Sequence, residues 1–280
     1  MSCPQCFSGS VHEGTPKGEI TKLHGLDAYV SAPPQEPAKG IVIIVPDAFG
    51  WEFVNLRLLA DHYAEKGNFK VYLPDFMNGH PASTAVLTAV PKLVGGGGLW
   101  AWLAKPYWLF LLVKIMVPFF IHNRFGKVWP VVESFFKTVR ENEGANLPIG
   151  VAGFCWGGKH SVVLAHGTSS VNGKPLIDAA FTGHPSMLDF PSDIEKIKIP
   201  TSFALAGEDF VVPASKIELI QKIIEAQPEE TKGESKVYVG TGHGFCVRAD
   251  HISVEKERAA TEAEDQAVSW FLKYFAKTSY

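Results

Sequence analysis

The stretch Gly153-Phe154-Cys155-Trp156-Gly157-Gly158 lies between two apolar segments. The segment before it, residues 147–152, has strand character, and residues 159–165 after it are typical of a buried helix. A strand, a tight Gly-x-nucleophile-x-Gly turn and a helix form a nucleophile elbow, here with cysteine where serine is usual. Glycines are expected in such a turn because it is strained and its helix passes close to the strand. In such an elbow, the helix dipole would favour a thiolate at Cys155. The alternative interpretation of the motif is a small buried cysteine in an ordinary βα turn.

The surrounding sequence predicts a parallel sheet around this turn. Residues 41–45 are five consecutive branched aliphatic residues, which is typical of a central strand covered on both faces. A helix is predicted from Asn55, and residues 69–75 form the next strand. This β-α-β spacing indicates a doubly wound, mostly parallel α/β sheet flanked by helices, with ligands beyond the carboxyl ends of its strands. Asp47 and Asp75 both follow such ends.

Composition restricts the class of protein. With 280 residues, 46% of them hydrophobic, the chain can bury a full core, and we expect one α/β domain over residues 1–280. A net charge of −3 gives no electrostatic reason to expect nucleic-acid binding. Four cysteines and no secretory signal favour a reducing, cytoplasmic location.

The N-terminal residues 1–20 are predicted to be a flap that lies on the body of the protein. They contain Cys3-Pro-Gln-Cys6, a spacing found in zinc and redox sites. A second cysteine pair or a matching histidine pair is missing, and His12 is only a weak third ligand. We therefore expect no metal and no organic cofactor.

An apolar helical insert is predicted near residues 92–127. After four glycines at 95–98, residues 99–121 are apolar and aromatic over about the length of a bilayer crossing. Two lysines and two prolines interrupt this stretch, namely Lys105, Lys114, Pro106 and Pro118. Charged side chains at membrane depth are energetically costly. The favoured interpretations are a cap over the active site or a homodimer surface. An interfacial membrane segment and a true span are less favoured, so membrane association is not expected.

Three chemically matched residues follow three different predicted strands. Cys155 comes first, Asp209 follows the strand at residues 199–207, and His243 lies in a loop after the last strand. Nucleophile, acid and base in this order are typical of α/β-hydrolases. Asp209 would orient the imidazole while the other ring nitrogen faces Cys155. Glu208 is the competing acid.

The same turn predicts an oxyanion hole made of two backbone N–H groups. One belongs to Trp156, the residue after the nucleophile. The other belongs to Ala48 or Phe49, just after the strand at residues 41–45, and Ala48 is preferred.

Several motifs together resemble the dienelactone hydrolase (carboxymethylenebutenolidase) family, in its fungal branch. The resemblance extends over residues 20–276 and is carried by residues 153–158, 207–213, 243–245, 47–50 and 74–76. It implies an α/β-hydrolase fold and a catalytic triad of Cys155, Asp209 and His243. It also implies hydrolysis of an enol-lactone or related ester through a thioester acyl-enzyme.

Two departures from the family pattern bear on the substrate. Bacterial members have a glutamate that helps activate the nucleophile where this chain has the shorter Asp47. They also hold the substrate carboxylate with an arginine that residues 76–80 lack, although Arg248 is near the position of a second family arginine. These departures and the aromatic insert indicate a bulkier or less charged ester or lactone. The residues expected to activate the nucleophile or bind substrate are Asp47, Phe49, Trp51 and Arg248.

Two other functions remain open from the sequence. The departure at Asp47 and the missing arginine would also suit a weakly catalytic or non-catalytic protein that binds a hydrophobic small molecule. The elbow could instead catalyse an isomerisation or a thioester cleavage.

Overall fold

The structure is a computed structural model that describes residues 9–249 and 253–280. Its strands are β1 Glu19–Leu23, β2 Leu26–Ser31, β3 Ile41–Val45, β4 Lys70–Pro74, β5 Ile149–Phe154, β6 Ser170–Val171, β7 Lys174–Pro175, β8 Ala179–Gly183, β9 Thr201–Ala206 and β10 Glu234–Tyr238. Its helices are α1 Val54–Gly67, α2 Ala85–Val94, α3 Leu99–His122, α4 Phe125–Glu141, α5 Trp156–Leu164, α6 Ser192–Glu195, α7 Ala214–Glu225, α8 Phe245–Arg248 and α9 Val254–Phe275.

Eight strands form one sheet in the order β1-β2-β4-β3-β5-β8-β9-β10. The six strands from β4 to β10 in this order are parallel, and β1 and β2 add an antiparallel margin. The predicted α/β-hydrolase fold with a mostly parallel sheet is confirmed. Strands β1 and β2 form a hairpin, because His24 and Gly25 adopt positive φ angles and turn the chain between them.

The apolar strands lie at the centre of the sheet because helices cover them on both sides. Every residue of β3, β5 and β9 is buried. Helix α1 packs against α9, and α4 packs against α5. The carboxyl ends of the parallel strands therefore meet at one edge, which is where the predicted site residues are located.

The described part of the N-terminal segment lies against the body of the protein. The Ser10 hydroxyl donates to the carbonyl of Ala249 at 2.8 Å, and the His12 amide donates to Asn55 Oδ1 at 2.9 Å. Cys3 and Cys6 lie outside the described residues.

The insert consists of α2 and α3, so it begins before residue 92. Helix α3 packs against α2 and buries three side chains, Leu112, Met116 and Phe119. It ends next to the nucleophile elbow, where the carbonyl of Asn123 accepts a hydrogen bond from Trp156 Nε1 at 3.0 Å.

Candidate active site

The residues around Cys155 form a strained strand-to-helix turn. Cys155 follows β5 directly, precedes α5 and has φ 49° and ψ −110°, an uncommon conformation for a residue with a side chain. A Cβ on Gly157 would lie 2.1 Å from the carbonyl oxygen of Val45, and one on Gly153 would lie 2.4 Å from the oxygen of Gly157. Glycine is thus required at positions 153 and 157 because another part of the backbone lies too close for a side chain. The residue with the strained backbone φ angle is Cys155 itself.

Asp209 and His243 meet at the predicted edge of the sheet. Asp209 follows β9, His243 follows β10, and the distance between Asp209 Oδ2 and His243 Nδ1 is 2.8 Å. Both side chains are buried. The other carboxylate oxygen accepts the amide of Val211 at 2.8 Å, so the carboxylate is fixed on both sides. The competing acid, Glu208, is exposed.

Cys155 and His243 shift each other's ionisation. Burial raises the pKa of the Cys155 thiol, but the charge of His243 and a hydrogen bond to it outweigh burial and lower the pKa. Burial lowers the pKa of His243, but the Cys155 charge and the hydrogen bond to Asp209 raise it to about 9. These shifts favour a thiolate–imidazolium pair.

The two loops that carry the predicted oxyanion donors are joined by a backbone hydrogen bond. The amide of Trp156 begins α5, where backbone N–H groups have no acceptor within the helix. The amide of Gly157 donates to the carbonyl of Pro46 at 3.1 Å and ties the elbow to the loop after β3. In that loop, the amide of Phe49 donates to Asp47 Oδ1 at 3.0 Å. The Phe49 amide therefore already has an acceptor within its own loop.

A buried ion pair borders the triad. Asp47 Oδ2 accepts a hydrogen bond from Arg248 Nη1, and both side chains are almost fully buried. Burial raises the pKa of Asp47, and Arg248 acts against this shift. The guanidinium of Arg248 also lies over the ring of Phe49 at 5.1 Å. Of the four predicted activating or substrate-binding residues, these three are brought together.

Trp51 has a different environment from those three residues. The guanidinium of Arg57 lies over its ring at 4.8 Å, and Arg57 Nε donates to its carbonyl at 3.1 Å. Trp51 is therefore packed towards α1, the helix that carries Arg57.

Two residues beside the triad were not among the predicted site residues. His184 is buried and has φ 37°, and the centroid of its ring lies 5.0 Å from that of the His243 ring, in an edge-on arrangement. Neither of its ring nitrogens has a hydrogen-bond partner within the described residues. Ser186 Oγ lies 3.9 Å from Cys155 Sγ. Both residues follow β8, the neighbour of β5, so they lie at the same strand-end edge as Asp209 and His243.

A cleft of about 370 Å³ opens beside His243. Its lining includes Ser10, Thr241, Phe245 and Arg248. Cys155 retains 8% of its surface exposed. Among residues 9–249 and 253–280, no three His, Cys, Asp or Glu side chains are grouped so that they could hold a metal ion.

The fold and the site define an α/β-hydrolase. A parallel sheet carries a nucleophile elbow after one strand and an acid and a histidine after two others, in hydrogen-bonding contact with each other.

Comparison with known proteins narrows this class to one family. The chain belongs to the dienelactone hydrolase family, whose model matches residues 113–275. It is 32% identical over 275 residues to hydrolase tropI of Talaromyces stipitatus, covering 98% of this chain and 96% of the relative. It is 28% identical to the carboxymethylenebutenolidase homolog of Mus musculus, with 97% of each chain covered. The protein is thus an enzyme that acts on carboxylic ester or lactone bonds.

A solved structure supports the fold independently. The dienelactone hydrolase from Anabaena variabilis superimposes with a TM-score of 0.59 at 16% sequence identity. The match covers 94% of this chain and 99% of that one.

Proposed function

We propose that the protein hydrolyses a small or medium-sized carboxylic ester or lactone through a thioester on Cys155. The observation that carries the proposal is the 2.8 Å contact between Asp209 and His243, next to a cysteine on a strained elbow. The opposite pKa shifts of the thiol and the imidazole support a thiolate as the attacking group.

In the first half of the reaction, the Cys155 thiolate attacks the carbonyl carbon and a C–S bond forms. The amides of Ala48 and Trp156 hold the oxyanion, and one such donor typically contributes about 100- to 1,000-fold in rate. The C–O bond to the leaving group then breaks, and the departing oxygen takes the proton of the His243 imidazolium. In a lactone, this leaving group stays attached to the acyl chain.

In the second half, neutral His243 removes a proton from water as the water attacks the thioester. The second tetrahedral intermediate collapses, the C–S bond breaks, and the carboxylic acid leaves. The thiolate–imidazolium pair is restored, and Asp209 keeps the imidazole oriented throughout.

The substrate class follows from the charges around the site. Arg248 is paired with Asp47, so its charge is largely neutralised and it is a weak clamp for a substrate carboxylate. With no arginine at residues 76–80, we infer that the substrate is an uncharged and mainly apolar ester or lactone.

The test is turnover of a panel of p-nitrophenyl esters and lactones by Cys155→Ala. We expect activity to be lost, while Cys246→Ala, which removes another buried thiol, retains it. Intact-protein mass spectrometry of the wild type with a slow ester should show an acyl adduct on the peptide that contains Cys155. Retained turnover in Cys155→Ala, or an adduct on another residue, would contradict the proposal.

A further inference from the structure

Helix α3 presents an apolar surface that the described part of the chain leaves uncovered. It is long and apolar enough to cross a membrane, and only 17% of its most apolar stretch is buried. Trp100 is 83% exposed and Trp102 is 66% exposed. A helix that is apolar around its whole circumference requires an apolar environment, and an exposed patch of this kind marks an interaction site.

The segment around α3 also differs in charge from the rest of the molecule. Between Asp75 and Glu133 the chain has no acidic residue and five basic ones (Lys92, Lys105, Lys114, Arg124 and Lys127). The net charge is +5 for this segment and −3 for the whole chain, so the remainder carries −8. The apolar surface therefore lies within the basic part of an acidic protein, which favours a negatively charged partner.

A bilayer crossing by α3 is excluded by the topology of the sheet. Strand β4 precedes α3 and β5 follows it, yet both pair with β3. A single crossing would place β4 and β5 on opposite sides of the membrane. Any contact between α3 and a bilayer must therefore be made from one side.

A cap and a homodimer account less well for the same surface. The C-terminal end of α3 reaches the elbow through Asn123 and Trp156, but the exposed residues Trp100 and Trp102 at its N-terminal end are not covered by the fold. A symmetric homodimer built on α3 would bring two segments of charge +5 together, and like charges at an interface are unfavourable.

We propose that α2 and α3, residues 85–122, attach the enzyme to the surface of a bilayer containing anionic phospholipids. The apolar side chains would enter the boundary between headgroups and acyl chains, where tryptophan and tyrosine are favoured. Lys105 and Lys114 would contact the headgroup phosphates. This contact would hold the nucleophile elbow close to the membrane, because Asn123 links the end of α3 to Trp156. The inference goes beyond the proposed reaction and does not depend on it.

The test is flotation of the full-length protein with vesicles of phosphatidylcholine alone or mixed with phosphatidylserine. The wild type should bind the mixed vesicles, and added salt should weaken binding. The double replacement Lys105→Gln with Lys114→Gln should weaken binding about 25-fold, because each lysine contributes about fivefold. Trp100→Ser with Trp102→Ser should weaken it at least about tenfold.

Matched controls use exposed residues outside the insert. Lys196→Gln with Lys198→Gln removes two exposed lysines near α6, and Val239→Ser removes an apolar side chain that is 89% exposed. Both controls should bind like the wild type, and thermal melting without vesicles should show that every variant is folded. The proposal is overturned if the wild type does not float with either vesicle, or if the controls lose as much binding as the insert variants. It is also overturned if light scattering shows that the wild type is a homodimer that does not bind vesicles, while the tryptophan variants are monomers.

Discussion

The replacement His243→Asn should make the Cys155 thiol unreactive at neutral pH. His243 is the main cause that lowers the thiol pKa, and burial acts in the opposite direction. A thiol with the ordinary pKa of 9.0 is only about 1% ionised at neutral pH, and a buried thiol without its imidazolium is ionised less. If the wild-type thiol is largely ionised, alkylation by iodoacetamide should slow by about 100-fold or more.

The assay follows alkylation of the peptide containing Cys155 over time by mass spectrometry. Cys246 is an internal control, because burial raises its pKa well above the ordinary value and it should react slowly in both proteins. His166→Asn is the matched control, since His166 is a buried histidine bonded to the carbonyl of Asp193. An unchanged alkylation rate in a folded His243→Asn variant would refute the thiolate–imidazolium pair.

Three further results are expected. The pH profile of kcat/KM should fall on its alkaline side near pH 9, because the His243 imidazolium needed to protonate the leaving group loses its proton there; a rate that stays constant through this range would contradict this. Asp209→Asn should lower kcat about 10⁴-fold without unfolding the protein, whereas Glu208→Gln at the exposed neighbour should be near wild type in the same ester assay. Gly157→Ala places a Cβ 2.1 Å from a carbonyl oxygen of β3 and should cost at least about 2 kcal/mol of stability, measured by thermal melting against Gly96→Ala, which has open space.

Much of the sheet could be predicted because its signals are local. The apolar run of β3 and the strand-turn-helix pattern at Cys155 each lie within about ten residues, and such short patterns determine strands and tight turns. The start of the insert at Ala85 and the β1–β2 hairpin were less predictable. The N-cap residue of α2, Thr84, makes no side-chain hydrogen bond to the helix. The hairpin depends on a two-residue turn that the alternation of apolar residues does not reveal.

The residues of the candidate site also include some that the sequence could predict and some that it could not. The strand-end rule predicted that Cys155, Asp209 and His243 would converge, because parallel strands share one carboxyl edge. The pairing of Asp47 with Arg248 could not be predicted, since these residues are 201 positions apart and α8 is a single short turn. His184 was visible as a residue after a strand, but its contact with His243 depends on how two loops pack.

The amino-acid sequence alone was enough to predict the central strands, the strand-turn-helix elbow at Cys155 and the catalytic-type side chains Asp209 and His243. These depend on backbone preferences and apolar periodicity over short distances. The pairing of Asp47 with Arg248 and the exposure of α3 became apparent only from the folded structure. Each of these depends on packing between segments far apart in the chain, because burial and hydrogen-bond partners exist only once those segments have come together.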